Sequence, residues 1–207
     1  MTDPAAISPS PADEVTTPHA IILAAGAASR FGSPKQAARL DGQPLLQLAV
    51  SRAVAVAGNA VSVVLGAHAA DLAPLLRRTP ASVILNRDWS EGIASSIRAG
   101  MAQLPGSCPA VLLLLADQPA VTEHDLARLL STWRRQPLGI AAAFYDGLPG
   151  VPAVFPRPDF AALRALRGDQ GARVLLRGQE HRVTRVPMPA AALDVDTPRD
   201  LAALQAS

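Results

Sequence analysis

Cysteine is almost absent from this chain. Cys108 is the only one in 207 residues, so no disulfide can form within it. That excludes the stapled, core-poor folds of small secreted domains and fits a reducing, cytoplasmic setting. Aromatics are also scarce, at 3%, which argues against an aromatic-filled β-sandwich. Basic residues are spread along the chain with a net charge of only +2. A concentrated basic stripe with interleaved aromatics is missing, and with it the footprint of a nucleic-acid binder. No apolar run is long enough to span a bilayer. The opening MTDPAAISPSPADEVTTPHA has neither the basic nor the apolar region of a signal peptide. The four histidines show no zinc-like spacing with Cys108 or with one another. The scarcest residue that still counts is lysine: Lys35 is the only one, beside eighteen arginines. A compact ammonium on a flexible stem suits a phosphate in a tight loop better than a planar guanidinium does.

What is abundant is Ala, Leu and Val, within a 49% hydrophobic composition. Residues 1–18, rich in Pro, Ser, Thr and acids, read as a disordered tail ahead of one domain over 19–207. From His19 onward, short apolar runs alternate with helical patterns. Strands are predicted over Ala20–Leu23, Ala60–Leu65, Ser82–Leu85, Ala110–Leu115, Leu138–Ala143, Val151–Phe155 and Arg182–Val186. Helices are predicted over Pro44–Ala57, Ala69–Arg77, Gly92–Leu104, Thr122–Arg135, Phe160–Arg167 and Gln170–Arg177, with a last one capped by Thr197. This alternation predicts an α/β fold, a single-domain Rossmann-like three-layer sandwich with a mostly parallel central sheet. In such sheets ligands sit beyond the carboxyl ends of the strands, so the residues following each strand carry the functional information.

Four such segments stand out. Leu23-Ala24-Ala25-Gly26 runs on through Arg30 and Gly32 to Pro34-Lys35. Its small residues let backbone N–H groups approach an anion, and Arg30 and Lys35 add charge. It is neither a P-loop nor a dinucleotide fingerprint, and a plain Gly/Ala-rich surface turn has the same pattern. Asp117-Gln118-Pro119 follows the most apolar run, where a carboxylate can hold Mg²⁺ against phosphates or simply make a turn. Asp194-Val195-Asp196 spaces two carboxylates to the same side of an extended segment. They can complete a metal site with Asp117, or serve turn and cap. Asn86 to Ser96 joins a strand end to a helix start rich in small polar residues, suited to reading a base edge.

Together these segments, with Gly168-Asp169-Gln170-Gly171-Ala172-Arg173, resemble the nucleotidyltransferase family that includes the molybdenum cofactor cytidylyl- and guanylyltransferases. The resemblance spans His19 to the C-terminus. It implies an enzyme that moves CMP from CTP to a phosphorylated pterin, molybdopterin, with Mg²⁺ and release of pyrophosphate. A molybdoenzyme that receives the cofactor is a further partner it admits. Leu23, Ala24, Ala25, Gly26, Arg30, Lys35, Ser96 and Asp117 would hold the nucleotide, with Arg30, Lys35 and Asp117 catalytic. Asp117, Asp194 and Asp196 would bind the metal, and Gly168, Asp169 and Arg173 would meet the acceptor. Leu-Ala-Ala-Gly is similar to the cytidylyl branch, whereas Gly150-Val151-Pro152 lacks a histidine often found there. Another phosphorylated small-molecule acceptor is an alternative, as is a non-catalytic pterin-binding maturation role. A nicotinamide-dependent reductase is disfavoured by the missing fingerprint.

Overall fold

The computed structural model describes residues 17–28 and 30–206. The tail expected over 1–18 lies outside the described residues as far as residue 16, and Ser29 of the Gly-rich segment lies outside them too. Pro18 is already buried where it enters the first strand.

In chain order the strands are β1 (His19–Ala24), β2 (Arg39–Leu40), β3 (Gln43–Pro44), β4 (Val61–Leu65), β5 (Ser82–Leu85), β6 (Ala110–Leu115), β7 (Ile140–Tyr145), β8 (Leu148–Pro156) and β9 (Val183–Pro187). The helices are α1 (Leu45–Ala57), α2 (Ala69–Leu72), α3 (Ile93–Ala102), α4 (Glu123–Arg135), α5 (Phe160–Ala165), α6 (Arg173–Gly178) and α7 (Pro198–Gln205). Seven strands form one sheet in the order β5-β4-β1-β6-β8-β7-β9. Every neighbouring pair is parallel except those of β8, which runs antiparallel to both β6 and β7.

Side chains alternate across a strand, and here the alternation makes two cores. Ala20, Ile22 and Ala24 of β1 pack with α1 and α4 through Leu46, Val50, Leu126 and Leu129. Ile21 and Leu23 face the other way, toward Ile97 and Met101 of α3 and Phe160 and Leu163 of α5. The result is the expected three-layer sandwich with a mostly parallel central sheet. β6, Ala110–Leu115, is buried almost throughout, as a strand covered on both faces should be.

Local departures from the sequence reading have local causes. The helix expected over Ala69–Arg77 becomes α2 and a 3₁₀ stretch over Ala73–Leu76, because Pro74 has no N–H to continue the α ladder. The helix expected from Gln170 begins at Arg173. Gly168, in the left-handed region at φ +56°, starts a loop there instead. A two-residue turn, Asp41-Gly42, both at positive φ, joins the unexpected hairpin β2–β3. Among the described residues no helix is long and apolar enough to cross a membrane.

Candidate active site

Because β1, β4, β5 and β6 run in parallel, their carboxyl ends open on one edge of the sheet. A cavity of about 440 Å³ lies there, lined by the segment after β1, the start of α3, the end of β6, Asp169 and Asp196. Its size is that of a small-molecule site. The Gly-rich segment is held from behind. Gln36 is buried, and its Nε2 donates to the carbonyls of Ala24 at 3.4 Å and Gly26 at 3.5 Å. The Ala67 N–H donates to Ala25 O at 3.2 Å. The β4 end packs so close beneath that a Cβ on Gly66 would lie 2.6 Å from Ala25 O. Leu23, Ala24, Ala25, Gly26, Arg30 and Lys35 all line the cavity.

At its floor stands Lys35. The ammonium donates to Asp117 Oδ2 at 2.7 Å and to Asp196 Oδ1 at 2.8 Å. Arg30, largely exposed, reaches the other oxygen of Asp196 at 2.8 Å. Asp196 arrives from the far end of the chain because the Val195 N–H donates to Asp117 O at 2.8 Å. Val195 itself is fully buried, which leaves its two acidic neighbours flanking Asp117. Asp200 fixes the segment from behind, its Oδ2 accepting from the N–H groups of Asp196 at 3.0 Å and Thr197 at 2.7 Å.

These contacts set the charge states. Burial alone would push the Lys35 ammonium down, but the charges and hydrogen bonds of Asp117 and Asp196 outweigh it and hold its pKa above the usual lysine value. Asp196 is held below the ordinary carboxylate value by its hydrogen bond from Lys35, with the Lys35 and Arg30 charges adding to it. Asp194 goes the opposite way, up to about 6, through desolvation and then the negative charge of Asp117, against a hydrogen bond from Gln118. Asp194 does not line the cavity. Asp117 and Asp196, gathered on one ammonium, and Asp194, which feels the charge of both, are hard oxygen donors of the kind Mg²⁺ and Mn²⁺ take. Asp117 Oδ1 is buried without a hydrogen-bond partner, the state of an atom that awaits a cation or donor. Among the described residues no three such side chains already converge as a metal cluster; Lys35 bridges two of them instead.

The other end of the cavity is built on Asn86. Buried after β5, it donates Nδ2 to Ser95 Oγ at 2.8 Å and Ser96 Oγ at 3.1 Å and accepts from the Asp88 N–H at 3.0 Å. This holds the Trp89–Ser96 stretch, of which Trp89, Ser90, Gly92, Ile93 and Ser96 line the cavity. Gly92 has φ +111°, and a Cβ there would lie 2.5 Å from Gly168 O. Gly168 O also accepts from the Ala94 N–H at 3.1 Å. Asp169 therefore lines this cavity, whereas Arg173, from the same segment, does not. Arg173 stacks 5.6 Å from the Tyr145 ring and donates to its hydroxyl at 2.9 Å. Sequence reasoning missed Gln36, Gly66 and Tyr145. Gln36's only signal was its place beside Lys35, and the other two act through contacts that no local pattern encodes.

An α/β sheet with a small-residue loop, a lysine clasped by carboxylates and a cleft at the strand ends defines a nucleotide-handling transferase. The chain belongs to the family of the MobA-like NTP transferase domain, whose model matches residues 20–184; it is a nucleotidyltransferase of that family. It is similar to the nicotine blue oxidoreductase of Paenarthrobacter nicotinovorans, at 34% identity over 168 residues, 76% of this chain and 80% of that one. Among solved structures it is similar to the homologue of Mycobacterium tuberculosis Rv0371c from Mycobacterium sp. strain JC1. The identity is 29%, the TM-score 0.79, and the match covers 90% of this chain and 94% of the other. Rv0371c of M. tuberculosis H37Rv in complex with manganese matches at 26% identity and TM-score 0.77, over 93% of this chain and all of the other.

Proposed function

We propose that the chain transfers CMP from CTP to the phosphate of a molybdenum-cofactor pterin and releases pyrophosphate, with the domain over 19–207 as its working unit. The observation that carries this reading is the clasp of Lys35 by Asp117 and Asp196 at the mouth of the Gly-rich loop. In this reading an oxygen of the acceptor phosphate attacks the α-phosphorus, and the bond from that phosphorus to the β-phosphate bridging oxygen breaks. The acceptor oxygen is already deprotonated, so no protein base is required. Arg30 and Lys35 neutralise the departing pyrophosphate, and the backbone N–H groups of the loop that follows Ala24 orient the phosphates. Asp117, with Asp194 and Asp196, would hold the divalent cation, which supplies charge stabilisation and a template for the phosphates when bound. The manganese complex of Rv0371c supports a divalent ion, and Mg²⁺ is the ion proposed here. Ser96 belongs with the nucleotide, and Arg173 on Tyr145 with the acceptor.

Pyrophosphate release by the purified chain, with Mg²⁺, molybdenum cofactor and each of CTP, GTP, ATP and UTP, tests this reading. Release with CTP and cofactor together is expected. A chain that binds the pterin and releases nothing with any nucleotide would instead be a maturation protein. Similarity to the nicotine blue oxidoreductase favours one second reading, in which the cavity takes a small-molecule redox substrate. Transfer of electrons from an added donor to an added dye acceptor, catalysed by the chain without pyrophosphate release, would support it over nucleotidyl transfer.

A further inference from the structure

Asp169 sits oddly among the carboxylates of the cavity. Asp117 and Asp196 are both engaged by Lys35. Asp169 lines the same space yet has no hydrogen bond or ion pair among the described residues. Its position is not accidental. Gly92 at φ +111° and without a Cβ lets the 168–169 backbone close onto the start of α3, and any side chain there would collide with Gly168 O and Asp169 Oδ1. The Ala94 N–H bond to Gly168 O and the Arg98 bond to Leu166 O at 2.8 Å fasten the same segment to α3. Around Asp169 the walls change character. Trp89, about one-third exposed, and Ile93 offer flat and apolar surface, and Ser90 and Ser96 lie alongside. The cations and the remaining carboxylates belong to the Lys35 end. A nucleotide laid along the cavity with its phosphates at Lys35 and Arg30 brings its base to the Trp89–Asp169 end.

A carboxylate accepts hydrogen bonds and cannot donate them. An aromatic ring held there is favoured when it offers N–H donors and repelled when it offers a carbonyl oxygen. We propose that Asp169 is a specificity-determining residue for the nucleotide, accepting from an exocyclic amino group of the base and so selecting cytosine over uracil. This rests on the nucleotidyl-transfer reading and deepens it. It also moves Asp169 from the acceptor side, where the resemblance put it, to the base. The 168–173 segment then serves both substrates, Asp169 at the cavity and Arg173 at Tyr145 beyond it.

The test is nucleotide binding to the full chain with Mn²⁺ and no acceptor, read by quenching of tryptophan fluorescence. CTP is compared with UTP, and GTP with ITP, pairs that differ in an amino group. The wild type is expected to prefer an amino-bearing member by about tenfold or more. Asp169→Asn, whose amide can also donate, should reduce that preference to within about threefold; its melting temperature, unchanged at this exposed position, certifies the fold. An Asp169→Asn chain that keeps the wild-type preference overturns the inference alone. If its acceptor KM rises while nucleotide preference stays, the carboxylate reads the acceptor ring instead, and the inference is again overturned. A wild-type chain that binds no nucleotide at all overturns the nucleotidyl-transfer reading and this inference together.

Discussion

Lys35 has little room. Its side chain is 12% exposed, and one nitrogen meets two carboxylates at 2.7 and 2.8 Å. A guanidinium is broader and planar, and it cannot bring a point charge between two oxygens from different elements. Lys35→Arg is therefore expected to lower kcat/KM by roughly tenfold or more, since a misplaced charge loses transition-state stabilisation. A neutral outcome in the pyrophosphate assay would make the lone lysine an accident of composition. Asp117→Ala removes the orphaned oxygen together with one of the two carboxylate partners of Lys35. Turnover should fall by about a hundredfold or more, while circular dichroism stays native. Gly92 is a second kind of residue, whose work is to be small. Gly92→Ala adds a Cβ at φ +111°, 2.5 Å from Gly168 O. Backbone strain of this sort costs about 1–3 kcal/mol, readable as a lower melting temperature, and nucleotide binding should weaken as the 168–169 segment is pushed away. Lys35 could be singled out from composition alone; the need for glycine at position 92 could not, because the clash is with residues far away in sequence.

At the scale of elements, two helices begin with the same device for different ends. Thr122 and Asp125 cap α4, and Thr197 and Asp200 cap α7, each as a reciprocal capping box. Both were legible in the sequence, since a cap is a contact between residues three apart. The α7 box also positions the active site, because Asp200 Oδ2 holds the N–H of Asp196. Removing either hydroxyl by Thr122→Ala or Thr197→Ala should cost about 1 kcal/mol in chemical denaturation. Only Thr197→Ala should also reduce turnover, and equal activity in the two variants would separate α7 from the site. Asp200 is held below the ordinary carboxylate value, first by its hydrogen bonds to Thr197. A carboxylate depressed in the folded state stabilises above its unfolded pKa. This support is thus present at neutral pH and lost as the pH falls below about 4. The direction of β8 was not legible. Its apolar run pairs equally well with either polarity, and the return turn through Asp146 and Gly147, both at positive φ, makes it antiparallel to β7.

Over the whole molecule, acid sensitivity begins at the end of the sheet opposite the site. His19 opens β1, half-buried, with its Nε2 2.8 Å from Ser62 Oγ. Burial lowers its pKa from the usual 6.5. The unfolded chain then binds the proton more readily, so stability is full above about pH 6.5 and declines as the pH falls below it. His19→Gln keeps a partner for Ser62 and removes the titration. Its melting temperature should change less than the wild type's between about pH 7 and 5, and parallel curves would exclude His19. Composition, strand and helix alternation and the two caps depend on neighbours in sequence, and so the sequence by itself determined the layered α/β class, the buried β6 and the small-residue loop ending in Lys35. Only the tertiary structure decided that Lys35 bridges Asp117 and Asp196, that Asp169 faces the cavity while Arg173 turns to Tyr145, and that Gly92 must be bare. Those are meetings of side chains from distant segments, and the distance between them is set by how helices seat on the sheet.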